Sequence, residues 1–319
     1  MNLNQRQHRV EIRLQYAYRA KRGALDAVNA VHRLVSSGQT EVVDADLSGD
    51  FDSIPHAELM TSVARRVSDS ALLHLLKMWL VAAVEERDER GHVPRTTRNR
   101  DARRGTPQGA PISPLLANHY MRRFVLGWKT LGHADRLQAR LVNYADDFVI
   151  CCRGTADEAL SVVHRLMEQL KLTVNETKTR IAKLPQDTFN FLGDTFGRRY
   201  RRRTGKADFG LAPSPKKVPA FVAKLSDRTS RRTLCEEVGP LVTSLNTMLR
   251  GWSNDFRVGE VTPAQRLVTR HVRSRLRQWL CRKHKLPGWG ETQFPNEHLH
   301  DVLGLFNLRD RPNVSRATS

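Results

Sequence analysis

An α+β fold is predicted for this chain of 319 residues, on three observations. Residues 141–152 read as two short apolar runs flanking a tight Ala145-Asp146-Asp147 corner, the pattern of two antiparallel strands joined by a turn. Residues 41–45 supply another apolar strand, with Val42, Val43 and Ala45. Around these strands, and through the last third of the chain, apolar residues recur instead at helical spacing.

Composition narrows the class. Apolar residues make up 39% of the chain, enough for one large core or two ordinary ones. No run reaches the roughly 18 apolar residues that cross a bilayer, so no membrane span is expected. No secretory pattern opens the chain, and a cytoplasmic location is expected. The four cysteines, Cys151, Cys152, Cys235 and Cys281, lack the paired spacings of a zinc site. Two of them lie inside an apolar strand, so reduced thiols are expected. The net charge is +20 and is unevenly spread. Residues 198–319 hold 25 Lys and Arg against 10 Asp and Glu, leaving only +5 for residues 1–197. A basic C-terminal third beside a more neutral body implies a polyanion-binding module next to a separate functional core. The basic residues are too dispersed for a single amphipathic membrane anchor.

Taken in order, residues 24–35 carry Ala24, Leu25, Val28, Val31, Leu34 and Val35 at helical spacing, and Gly38 ends the helix. Arg19, Lys21 and Arg22 precede it as solvated charges or phosphate contacts. The strand 41–45 ends at Asp46, 100 positions before Asp146, and Gly49 permits a sharp turn behind it. Asp46 is thus a third acid on one strand, facing two on a hairpin. Neighbouring carboxylates repel one another, and a divalent cation is the usual means of keeping them together and ionised. For Asp44, Asp50 and Asp52 the plain alternative is a turn or cap role before a helix near Pro55, and for Asp52 that role is expected.

Residues 57–84 read as one or two helices, and 85–104 as an exposed charged hairpin or loop. Two glycines and three prolines pin the loop 104–114, and Ser113-Pro114 should start a helix. Thr155 to Glu158 reads as a capping box ahead of a helix whose Leu160, Val163, Met167 and Leu170 form a core stripe. Residues 198–206 form a basic hairpin or loop, and 213–219 a linker at the domain boundary. Beyond it, Thr262 to Gln265 reads as a second capping box. On the helix that follows, Arg266, Arg270, Arg273 and Arg277 share one narrow face, with Val268, Val272, Leu276 and Trp279 opposite. An arginine face without interleaved acids fits an RNA backbone better than a merely solvated surface.

With these residues in view, a resemblance becomes specific. Residues 46–51, 105–114 and 144–147 resemble three successive reverse transcriptase motifs in order and spacing, and their wording is most similar to the group II intron reverse transcriptase/maturase family. Residues 173–179 and 189–193 resemble the next two motifs, 18–26 an earlier one, and 245–256 the maturase-specific segment, so the likeness covers about residues 16–310.

The resemblance implies a right-hand polymerase palm with reduced fingers, followed by an all-helical thumb and maturase domain. The corresponding divisions are 1–40 as a remnant of the fingers region, 41–212 as palm, 213–310 as thumb and RNA-binding maturase domain, and 311–319 as tail. It implies two Mg²⁺ ions on Asp46, Asp146 and Asp147, which serve as both catalytic residues and metal ligands. Phe51 would lie beneath the incoming sugar and favour dNTPs; Gln108 and Gly109 would border the nucleotide. Lys178 would neutralise or protonate the leaving pyrophosphate, or else be an ordinary surface lysine. The implied partners are an intron RNA template, a DNA primer or target, and dNTPs.

Departures temper the match. Nothing in residues 1–15 resembles the family's first fingers motif, and no endonuclease segment follows the maturase region, so a shortened chain is expected. Asp50 stands where a small or aromatic residue is usual, and Asp194 replaces an apolar one. The expected function is RNA-directed DNA polymerase with intron RNA binding and a splicing role. An RNA-binding splicing factor, or a truncated fragment without polymerase activity, remains the alternative.

Overall fold

The structure is a computed structural model that describes residues 15–19, 21–47, 50–85, 95–107, 109–200 and 207–308. The chain divides into two compact units, residues 1–191 and 192–319. In chain order the first unit carries helix α1 (Ala24–Ser36), strand β1 (Glu41–Ala45), a 3-10 turn at Asp50–Ser53, and helices α2 (His56–Ala64) and α3 (Ser70–Val81). The short pair β2 (Val84–Glu85) and β3 (Arg95–Thr96) comes next, then helix α4 (Ser113–Thr130) and strands β4 (Arg140–Tyr144) and β5 (Asp147–Cys152). Helix α5 (Ala156–Gln169) and strands β6 (Arg180–Lys183) and β7 (Phe189–Phe191) complete it.

The centre of this unit is an antiparallel sheet in the order β4-β5-β1-β6. Its register explains how two-sided apolar strands pack. Val43, Ala45, Leu47, Leu141, Phe148, Ile150 and Cys152 share one face and join a single core with α4 and α5. The alternate residues Val42, Val142, Val149 and Cys151 are also buried, on the opposite face. Helix α1, which lies against β4 and β5, covers them with Ala27, Val28, Val31 and Val35. Burying a large side chain such as Phe148 contributes about 1.5–3 kcal/mol. All four cysteines are free thiols, and burial pushes the Cys152 thiol up to about 12, so it stays protonated.

The second unit opens with a hairpin of β8 (Asp194–Tyr200) and β9 (Ala207–Pro213), followed by helices α6 (Lys217–Arg228), α7 (Val238–Asp255) and α8 (Thr262–Lys283) and a π-helical turn at His298–Val302. Leu225 from α6, Leu241, Leu245, Leu249 and Trp252 from α7, and Val268, Val272, Leu276 and Trp279 from α8 form its core. Residues 213–219 are not a free linker: β9 runs to Pro213 and α6 starts at Lys217. Arg275 on α8 donates to the carbonyls of Ser226 (2.8 Å) and Thr229 (3.0 Å), satisfying the C-terminal end of α6 where a cation is favoured.

Both capping boxes are corrected. Thr155 precedes α5, but its hydroxyl donates to the Leu137 carbonyl at 2.6 Å, and the Ala156 N–H is met by Glu41 instead. Thr262 is already inside α8, whose cap position is Val261 with no side-chain bond. Ser113 likewise spends its hydroxyl on the Pro107 carbonyl (2.6 Å), one residue after the cap position Ile112. Asp52 sits in the 3-10 turn and does not cap α2, whose cap position is Pro55.

Candidate active site and nucleic-acid interface

The acidic corner follows from the sheet register. Ala45 pairs with Phe148, so one further step along the two strands sets Asp46 across from Asp147. Residues opposed in an antiparallel pair project to the same face, and so do residues two apart along a strand. Asp44, Asp46 and Asp147 therefore share the α1 face, at the end of the sheet where the buried valines give way to polar residues. Tyr144 pairs with Asp147 on that face. Asp146 occupies the β4–β5 turn beside Ala145, whose φ of +56° is the left-handed conformation a tight corner needs. Burial, then the charge of Asp146, pushes the phenol of Tyr18 up from its ordinary value.

A polar residue inside β4 holds this turn. Asn143 is fully buried, and its side-chain amide donates to the Ala145 carbonyl at 2.8 Å. Its backbone carbonyl accepts from the Tyr16 N–H at 3.0 Å. Asn143 was not singled out from the sequence. The signal was there: an amide in an otherwise apolar strand has to be hydrogen-bonded.

Asp46 is fixed from three sides. Its carbonyl accepts from Asn175 N–H (2.8 Å), and its N–H donates to the Thr179 hydroxyl (3.3 Å). Lys178 Nζ lies 3.2 Å from its Oδ2, an ionic contact outside hydrogen-bond geometry, for that buried oxygen has no hydrogen-bond partner. Lys178 is therefore an acid's counter-ion here. The neighbouring Asp44 pairs with Arg180 at 3.5 Å; burial raises its carboxyl, and Arg180 opposes that rise. Among the described residues, no three acid, histidine or cysteine side chains already stand close enough to hold a metal ion. The paired register ends at Ala45 opposite Phe148, so Asp46 and Asp147 are the next residues along adjacent strands, with Asp146 in the turn, short of a ready-made triple cluster.

The nucleotide residues expected from the resemblance are only partly described. The backbone of Phe51 lies in the 3-10 turn; its side chain and all of Gln108 lie outside the described residues. Gly109, at φ +80°, is exposed, in a turn closed by Ala110 N–H to the Pro107 carbonyl. Glycine is the natural occupant of that backbone. Gly105 ties this loop to the Phe51 turn: a Cβ there would stand 2.9 Å from the Asp52 backbone. The Gly105 N–H donates to the Ile54 carbonyl at 2.8 Å, and its own carbonyl accepts from His56 Nε2 at 2.7 Å.

In the second unit the four arginines of α8 line one groove of about 230 Å³ together with Thr269 and Asn296. They are not equivalent. Arg273 Nε donates to His300 Nε2 (2.9 Å), and Arg277 donates to the Phe294 carbonyl and the Asn296 side chain, both at 2.8 Å. Arg266 and Arg270 are exposed, and neither has an ion pair or hydrogen bond among the described residues. His300 Nδ1 lies 2.6 Å from the Leu305 carbonyl, so it donates there and leaves Nε2 to accept from Arg273. Asp194 is a separate feature of the same unit. It is 4% exposed, its Oδ1 lacks a partner, and burial followed by the charge of Asp255 raises its carboxyl to about 7.

Known families match both units. Residues 3–196 match the reverse transcriptase (RNA-dependent DNA polymerase) family, and residues 218–293 match the group II intron maturase-specific domain. The chain belongs to the group II intron reverse transcriptase/maturase family. The polymerase match begins at residue 3, inside the stretch 1–15 where no motif was legible. Protein YkfC of Escherichia coli is 30% identical over 248 residues, covering 67% of this chain and 62% of that protein. The group II intron-encoded protein LtrA of Lactococcus lactis is 24% identical over 241 residues, covering 56% of this chain and 38% of its own length. The chain thus spans less than two thirds of these relatives. Telomerase of Candida albicans, solved with a fragment of telomeric RNA, aligns over 96% of this chain and 56% of its own, at 11% identity and a TM-score of 0.46.

Proposed function

We propose that this maturase-family chain is an RNA-directed DNA polymerase whose first unit supplies the palm and whose second unit binds intron RNA and assists its splicing. The observation that supports the reading is the strand register: Ala45 pairs with Phe148, so Asp46 and Asp147 follow at the same end of adjacent strands, with Asp146 in the adjoining turn. This donor set fits Mg²⁺: the ligands are hard carboxylate oxygens, and Asp46 Oδ2 is a buried acceptor with no hydrogen bond to lose. Bound there, two Mg²⁺ ions would lower the pKa of the primer 3′-hydroxyl and stabilise the attacking and leaving oxygens.

The chain's own groups have distinct tasks in this reading. Asn143 holds the Ala145-Asp146 corner through the Ala145 carbonyl. Thr179 and Asn175 fix the Asp46 backbone, and Lys178 neutralises Asp46 until its ammonium turns to the phosphate side. The Gly105 contact keeps its loop against the Asp52 backbone, and Phe51, Gln108 and Gly109 are the proposed nucleotide neighbours. Arg266 and Arg270 present unmatched charge to an RNA backbone. The intron RNA template, DNA primer and dNTPs are the proposed partners.

One observation favours a second reading, an RNA-binding splicing factor without polymerase activity: the three acids are not gathered, and Lys178 lies on Asp46. Primer extension on an RNA template with Mg²⁺ or with EDTA separates the two. Mg²⁺-dependent extension that Asp146→Asn abolishes, with RNA binding retained, is expected. Tight, salt-sensitive RNA binding without extension would select the splicing factor.

A further inference from the structure

The strongest feature left unused is Trp289. Its exposure, 74%, is the highest among the exposed large hydrophobic side chains of the described residues. The other four tryptophans are all less exposed: Trp128, Trp252 and Trp279 are buried, and Trp79 is 40% exposed. A ring of this size left in water forgoes a large burial gain. It is nonetheless presented on a well-tied loop. Leu286 N–H donates to the Cys281 carbonyl at 2.8 Å, and Phe294 N–H to the Gly290 carbonyl at 2.9 Å. Gly290 has φ +76°, and a Cβ there would stand 2.6 Å from Cys281 Sγ, so the backbone beside the tryptophan fits tightly against α8.

Two further facts locate the loop. A Cβ at Gly290 would also lie 3.5 Å from Arg277 Cβ, so the loop abuts the arginine groove, and the Phe294 carbonyl of this loop accepts the Arg277 hydrogen bond. On its other side the loop leaves α8 through Arg282 and Lys285, both exposed, and Glu291 is the only acid in residues 284–296. An exposed indole flanked by cations, beside a groove with two unmatched arginines, is the pairing that holds a single-stranded nucleotide. Cations meet the phosphates, and an aromatic face meets a base not stacked in a duplex.

We infer that Trp289 is a stacking platform for an unpaired nucleobase, and that Arg266 and Arg270 take the phosphates of the same strand. The inference rests on the proposed role of the arginine groove as a polyanion site. It goes further by assigning the base-contacting residue and the structural state of the ligand: unpaired, with base identity unread, since every base offers a flat face.

The test uses the whole chain with Trp289→Phe, Trp289→Ala and the double variant Arg266→Gln/Arg270→Gln. The probes are a ten-nucleotide oligouridylate, the matching deoxythymidylate, and a blunt RNA duplex. An exposed position tolerates these changes, and circular dichroism checks the fold. Quenching of tryptophan emission by the single strand is expected in the native chain and absent from Trp289→Phe. Trp289→Ala should weaken single-strand binding about tenfold and Trp289→Phe by less, with duplex binding unchanged. Equal loss for single strand and duplex, or no loss for Trp289→Ala, would overturn the stacking role. Preference for oligouridylate or for deoxythymidylate identifies the strand as RNA or DNA, either of which fits the site. If the arginine variant loses nothing while Trp289→Ala still does, the groove reading fails and the stack stands; if only the arginine variant loses affinity, the groove stands and the stack falls.

Discussion

The acidic sheet of the first unit and the arginine face of the second hold their charges by opposite means. Along β1 and one residue past it each acid has a base near it: Glu41 with Lys183 at 3.7 Å, Asp44 with Arg180 at 3.5 Å, Asp46 with Lys178 at 3.2 Å. Backbone register does that placing. On α8, Arg273 and Arg277 are anchored on neutral acceptors, while Arg266 and Arg270 are unmatched. A charge matched within the fold is insulated from its surroundings, whereas an unmatched one gains most from an external ion. The sheet must therefore give up an internal partner before a cation can replace it, and the helix face can bind at once.

Neutralising a sheet acid breaks this comparison hardest. Asp46→Asn keeps the side chain's shape but removes a proposed metal ligand and the partner of Lys178. Primer extension is expected to fall by about 1000-fold or more, the several kcal/mol that metal-ion charge stabilisation supplies. Binding of intron RNA, measured by filter retention, should change less than about twofold if the two units act separately. A variant that still extends primers would remove Asp46 from the catalytic set.

The next largest effect concerns an acid with the wrong neighbour. Asp44 is partly buried with Arg180 beside it; Asp194 is buried with Asp255 beside it. The folded pKa of about 7 for Asp194 lies above the ordinary 3.8, so the native state retains a proton that the unfolded chain gives up. Its contribution is complete below about pH 4 and is lost as pH rises through 7, roughly 4 kcal/mol in all. Asp194→Asn should flatten that dependence and stabilise the second unit above pH 7. Urea unfolding followed by Trp252 and Trp279 emission at pH 5 and pH 8 reads it; equal stability changes at both pH values would refute the buried-acid account.

On the helix side, Arg266→Gln/Arg270→Gln is expected to weaken single-stranded RNA binding about 10- to 30-fold. The slope of log affinity against log salt should become shallower by about 1.4, two phosphate contacts' worth. Arg277→Gln should cost thermal stability as well, since it releases the Phe294 carbonyl and Asn296. A shared salt slope for both variants would erase the distinction between free and anchored arginines.

Much of this was legible in the residues, and the failures have physical reasons. The hairpin 141–152 could be read because its strands are apolar on both faces and its corner is acidic. Asp46 followed because it ends another apolar strand. The arginine face followed from spacing alone. What spacing cannot supply is the tertiary acceptor: Thr155 and Ser113 carry good cap signatures, yet the carbonyls of Leu137 and Pro107 capture their hydroxyls. The ladder of ion pairs was hidden for the same reason. Lys178, Arg180 and Lys183 look like a solvated run until the β1–β6 register, with Asp44 opposite Arg180, is known. The anchoring of Arg273 by His300 likewise depends on a contact between separate segments.

That ladder gives the smallest effect and the finest test. Arg180→Gln leaves Asp44 with three quarters of its side chain out of solvent and without its cation. Exposed pairs contribute about 0–1 kcal/mol and breaking a fully buried pair costs about 3–5, so an intermediate loss of about 1–2 kcal/mol is expected near neutral pH. The sign with pH follows from the carboxyl, which burial already raises against the pull of Arg180. Removing Arg180 raises it further, so the variant's deficit should shrink as the pH falls and Asp44 takes up a proton. Arg95→Gln is the control, since Arg95 and Glu85 pair at 3.0 Å with 78% and 56% of their side chains exposed. Its loss should be near zero at every pH. If thermal denaturation at pH 4 and pH 7 finds the Arg180 deficit as flat as that of Arg95, Asp44 is solvated in practice, and register alone does not create a protected charge in this sheet.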